Sequence, residues 1–197
     1  SIKAGNAIVI SPHPGAKKCI VETVKVIQEA ARRAGAPEGT VNCVTLTTMQ
    51  ATDALLKNRD VSVILATGGE AMVRAAYSSG NPALGVGPGN GPSFIEASAD
   101  IPKAIKRIFD SKTFDNGTIC ASEQSIVTLE SIASQVMEQA KAQGGYFLNE
   151  EESKKVSALL LRANGTMNPK IVGRTAQQIA DMAGVSIPAG TRVLLSR

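Results

Sequence analysis

The apolar positions change period along the chain. Ala7 to Ile10 is a short apolar run rich in β-branched residues, which reads as a strand. Ser11-Pro12-His13-Pro14-Gly15 breaks it. From about Ala16 to Ala34, Ile20, Val24, Ile27 and Ala31 recur at spacings of four, three and four, the period of one helix face. Gly35 and Pro37 supply a stop. Val41 to Leu46 predicts a strand and Met49 to Lys57 a helix. Val61 to Ala66 is apolar but for Ser62, the pattern of a parallel strand buried on both faces. A helix over Glu70–Tyr77, a strand over Ala83–Val86, a Gly-rich loop over Gly85–Gly91 and a short strand at Phe94-Ile95 follow. Asp100 is placed to cap a helix over Pro102–Ser111. This alternation predicts a doubly wound α/β unit, a Rossmann-like parallel sheet with helices on both faces.

Near Thr113 the character changes, which sets a boundary between residues 1–113 and 114–197. Phe114 to Gln124 is a polar loop holding one Cys. A strand is predicted over Ser125–Leu129, helices over Ser131–Lys141, Glu150–Leu161 and Thr175–Met182, and a last strand over Arg192–Leu195. Gly144-Gly145 reads as a break, and Arg162 to Pro169 as a loop rich in Asn and Gly.

Composition narrows the function classes. The 197 residues, 43% hydrophobic and 19% charged, can bury a core and are not those of a disordered chain. No apolar run reaches the roughly 18 residues of a membrane span. The net charge of +4 is spread over separated pairs such as Lys17-Lys18 and Arg32-Arg33. With 3% aromatics and no Trp, base stacking on single strands has no platform, so no nucleic-acid partner is expected. One His and scattered Cys leave no zinc spacing, so no metal is assigned.

Three segments carry candidate chemistry. In Leu65-Ala66-Thr67-Gly68-Gly69-Glu70 a buried strand meets two glycines and a helix N-terminus, where unpaired N–H groups attract an anion. A pyrophosphate fits there, and so does a plain turn. Gly85-Val86-Gly87-Pro88-Gly89-Asn90-Gly91-Pro92 is either a constrained ligand loop or a surface turn. Cys120 follows Asp115-Asn116-Gly117 at a break between elements. It reads either as a small core side chain or as a partly exposed nucleophile. Cys19 and Cys43 are expected in the core, on the first helix and the second strand.

Ser111 to Ser125, which contains Thr118-Ile119-Cys120-Ala121-Ser122-Glu123-Gln124, closely resembles the active-site segment of CoA-acylating aldehyde dehydrogenases. It is especially similar to the aldehyde dehydrogenase half of bifunctional aldehyde–alcohol dehydrogenases. Ile10 to Pro14, Leu65 to Gly69, Gly85 to Pro92 and Asn168 to Gly173 resemble that family in its order. The resemblance implies a Cys120 nucleophile, an acyl thioester on it, NAD as hydride acceptor and coenzyme A as acyl acceptor. It assigns Ser11 and His13 to nucleotide contact, Thr67, Gly68 and Gly69 to the pyrophosphate, and Gly87 to the nicotinamide side.

Residues 1–113 then correspond to the second part of the NAD-binding domain and 114–197 to the first part of an α/β catalytic domain. The chain is expected to be an internal piece of a longer, cytoplasmic homo-oligomer, with a bacterial microcompartment as the other location. Its substrates would be a small aldehyde or acyl-CoA. Hydrolytic members carry a Glu in the Gly-rich loop that activates water; here the matching position is Val86, and Gly85 to Phe94 holds no carboxylate. Lacking that base, the thioester survives for a thiol acceptor. The alternatives are a hydrolytic aldehyde dehydrogenase giving the free acid, and an inactive nucleotide-binding or assembly fragment.

Overall fold

The computed structural model describes residues 1–87 and 89–197. Among the described residues there are eight strands and seven α-helices, largely in alternation, and the strand pairs β1–β2, β3–β4, β5–β6 and β7–β8 are all parallel, as helical crossovers require. The described residues form two compact units that part between Gly87 and Gly89.

In the first unit, β1 (Ile8–Ile10) pairs with β2 (Val41–Cys43), and β3 (Ile64–Thr67) with β4 (Ala83–Val86). Helix α1 (Lys17–Arg33) connects the first pair and buries Val24 against it; Ile27 stays exposed at the edge of the predicted stripe. Helix α2 (Met49–Leu56) starts where the Thr48 hydroxyl accepts the Ala51 N–H. Helix α3 (Glu70–Tyr77) links β3 to β4, and Leu56, Ile64, Ala66 and Ala76 form the core beneath them. The β3 run is buried on one face only. Ile64 and Ala66 point into this core, whereas Leu65 is 65% exposed. Within this chain α2 and α3 pack against the Ile64 and Ala66 face of the pair.

The predicted loop over Gly85–Gly91 is shorter in the structure. Gly85 and Val86 belong to β4, and β5 begins at Gly91. Gly85 is a packing glycine: a Cβ there would lie 2.5 Å from Val73 Cγ1 and 2.7 Å from Tyr77 Cε2. The missing side chain lets α3 sit down on β4, and the Tyr77 hydroxyl accepts the Gly85 N–H at 3.0 Å.

In the second unit, β5 (Gly91–Ile95) pairs with β6 (Glu123–Thr128) through helix α4 (Ile101–Thr113). Asp100 caps α4 as predicted, accepting the Lys103 N–H. Helix α5 (Glu130–Ala142) packs on α4, and Ile95, Ile105, Ile108, Phe109, Ile132 and Val136 make the main core. The Gly144-Gly145 break conceals a strand, β7 (Gly145–Phe147), paired with β8 (Val193–Leu195). Gly144 makes the turn at φ 93°, but Gly145 serves contact: a Cβ would meet Ala140 O at 2.8 Å, Leu195 Cδ1 at 2.9 Å and Phe109 Cζ at 3.0 Å. Helices α6 (Glu150–Leu160) and α7 (Ala176–Ala183) pack through Val156 and Ala180, and each starts in a reciprocal capping box.

Among the described residues no helix is long and apolar enough to cross a membrane. Phe109→Ala should remove about 3–5 kcal/mol, because Phe109 is 1% exposed at the centre of the larger core. The urea midpoint measures it. Asp110 accepts from Lys106 and, at 2.8 Å, from Arg192, which hold its carboxyl below the usual carboxylate range. Its stabilising effect is therefore present above the ordinary Asp pKa and fades as pH falls through the lowered one. Acid titration of stability should be shallower in Asp110→Asn over that window.

Candidate active site

The residues assigned to nucleotide contact sit at or just beyond the C-terminal ends of parallel strands, the edge where α/β sheets bind ligands. Ser11 and His13 follow β1, Thr67 to Gly69 end β3 and open α3, and Gly87 follows β4. His13 caps a 3₁₀ turn over Pro14–Ala16, its Nδ1 accepting the Gly15 N–H at 3.1 Å. Gly68 N–H is spent on Val86 O, 3.1 Å away. Gly69 is the α3 N-cap, has no side-chain capping bond, and would meet nothing within 4 Å if given a Cβ; the same open space surrounds Gly87. Exposed backbone at a helix start fits a phosphate group. A surface depression lined by Lys25, Gln28, Glu29 and Pro37 to Asn42 lies instead by the N-terminal end of β2.

Cys120 lies in the second unit, in a turn just before β6, and is exposed. Ser122, 2% exposed, closes that turn: its N–H and its hydroxyl both donate to Ile119 O, the latter at 2.9 Å. Among the described residues no acceptor takes the Cys120 N–H. Upstream, Asp115 and Asn116 both hold φ 49° and Gly117 φ 73°, three left-handed residues in succession. Such backbone is costly for non-glycine residues and survives only where the surroundings impose it. The imposition is visible: Asn116 Nδ2 donates to Gly173 O at 3.0 Å, and Thr118 Oγ1 would lie 3.7 Å from a Gly173 Cβ. Asn168 to Gly173, singled out in the sequence, thus supports the cysteine loop.

Lys112 spans the loop's two ends. Its Nζ would lie 3.7 Å from a Cβ at Gly117, and it donates to Gln124 Oε1 at 2.8 Å. Burial holds this ammonium below the usual lysine value, with the Glu123 charge opposing the shift. Glu123 Oε2 is itself buried and accepts no hydrogen bond among the described residues. The sequence signals for these supports were the Asn168–Gly173 segment and the Asp-Asn-Gly run, whose residue types favour left-handed turns; nothing in it marked Lys112, Glu123 or Gln124.

Two cysteine expectations change. Cys19 is exposed, because it lies off the face of α1 that buries Val24. Cys43, at the end of β2, is half-buried rather than enclosed. Among the described residues no three His, Cys, Asp or Glu side chains gather to hold a metal ion.

The profile of the aldehyde dehydrogenase family matches residues 1–148. The chain belongs to that family. It is 45% identical to the bifunctional aldehyde–alcohol dehydrogenase AdhE of Escherichia coli (strain K12) over 195 residues, 99% of this chain and 22% of that protein. The acetylating aldehyde dehydrogenase of Geobacillus thermoglucosidasius superposes with a TM-score of 0.93 and 55% identity, over 99% of this chain and 43% of that one. The propionaldehyde dehydrogenase of Rhodopseudomonas palustris, solved with bound CoA and an acylated cysteine, gives 0.89 and 32%, over 98% of this chain and 44% of that one. The chain therefore spans less than half the length of each of these relatives.

The strained turn yields a test. Asn116→Ala removes the bond to Gly173 and leaves a side chain ill-suited to φ 49°, and should destabilise by about 1–2 kcal/mol. Asn116→Gly, which loses only the bond, should cost less. Denaturant midpoints compare them.

Proposed function

We propose that the protein of which this chain is part oxidises a small aldehyde to an acyl-CoA, reversibly, with NAD as the hydride acceptor. The observation that carries the reading is the placement of Cys120: exposed, at the mouth of a braced turn, its own N–H unengaged among the described residues. The Cys120 sulfur, as thiolate, attacks the aldehyde carbon. The Cys120 N–H donates to the oxyanion that forms. Loss of hydride leaves the acyl group on sulfur as a thioester, and a second thiol then displaces Cys120. Bound NAD supplies the hydride acceptor.

Ser11 and His13 would hold the nucleotide, with Thr67, Gly68 and Gly69 near its pyrophosphate and Gly87 toward the nicotinamide. These contacts all precede Thr113 and the nucleophile follows it. We assign nucleotide binding to residues 1–113 and catalysis to 114–197, while the compact units part earlier, between Gly87 and Gly89.

Coenzyme A is the favoured acceptor because Val86 stands where a hydrolytic enzyme needs a general base. The acylated cysteine in the Rhodopseudomonas palustris relative supports the same chemistry. We place the enzyme in the cytoplasm or a bacterial microcompartment, where a thiol stays reduced, as a homo-oligomer.

With the full-length protein, NADH formation from a short aldehyde should require CoA. Cys120→Ser should lower the rate by at least about 1,000-fold. CoA-independent release of free acid, or an active Cys120→Ser enzyme, would contradict the reading.

A further inference from the structure

We infer that Gly89 is a positioning residue for Cys120, and that the absence of a side chain at 89 sets where the nucleophile stands. This rests on the assignment of Cys120 as nucleophile. In β5 and β6, Gly91 pairs with Glu123, so the segments that lead into the two strands run alongside each other, with Gly89 on one and Cys120 on the other. The approach is close. A Cβ built on Gly89 would overlap the Cys120 carbonyl oxygen and lie 2.9 Å from its carbonyl carbon and 3.5 Å from its Cα. These are backbone atoms and cannot swing aside like the end of a flexible side chain.

The Cys120 turn has little room to retreat. Ser122 ties it to Ile119, Lys112 ties its flank to Gln124, and Asn116 ties the preceding turn to Gly173. A methyl group at 89 must therefore move the Cys120 backbone or the 89–91 segment, and the sulfur and the Cys120 N–H move with the former. A displacement near 1 Å is enough to lower a rate by about 100-fold. Gly91 differs: a Cβ there meets nothing within 4 Å. The two glycines thus separate the effect of contact from that of glycine content.

The test uses the full-length protein. Gly89→Ala should lower kcat by about 100-fold while the KM for NAD stays within about twofold, and should slow iodoacetamide alkylation of Cys120 by at least about tenfold. Gly91→Ala should match the parent in all three. A folded Gly89→Ala protein with parental kcat, or with parental alkylation, overturns the inference. If Gly89→Ala does not fold, hydrogen exchange on the parent decides. Alkylating Cys120 should change exchange in the peptide covering 89–95 and not in β3; an unchanged 89–95 peptide overturns the inference. An enzyme whose activity survives Cys120→Ser would instead refute the nucleophile assignment, so the two failures are told apart.

Discussion

The parallel pairing of β5 with β6 is the constraint on which the cysteine site depends. A parallel pair needs a crossover, and α4 supplies it, burying Ile101, Ile105, Ile108 and Phe109. The register then brings the start of β5 beside the start of β6, and so Gly89 beside the cysteine turn. A register shift between Gly91 and Pro92 leaves Gln124 as an extra residue on β6. Such a bulge re-aims the chain at a strand end. Here it lies just after the Cys120 turn, where Gln124 accepts the Lys112 ammonium. Core burial is thus converted into the position of one sulfur.

The nucleotide candidates follow a different logic. They lie at the C-terminal ends of β1, β3 and β4, where Gly69 at the start of α3 and Gly87 after β4 leave backbone open. The glycines divide by role. Gly85 lets α3 approach β4, Gly69 and Gly87 leave backbone open, and Gly89 admits another backbone. A Gly-rich segment is therefore not one device.

Helix α3 and strand β4 were legible to the residue, because the breaks before them, Gly68-Gly69 and Asn81-Pro82, are local signals. So was the Asp100 cap. The strand β7 was not, because three residues opening on glycine carry no period, and Gly145 looks like a turn until Phe109 and Leu195 are seen against it. At the site, the Cys120 segment was recognisable from its residues alone. Its supports were not: Asn116 to Gly173 spans 57 positions, and the Gly89–Cys120 contact depends on strand register.

The most direct test of the account is peptide mass spectrometry of the full-length protein after exposure to an acyl-CoA without nicotinamide cofactor. The account predicts a single acyl group on the peptide containing Cys120, lost on adding a thiol and absent from Cys120→Ser. Acylation at Cys19 or Cys43 with Cys120 unmodified would contradict it.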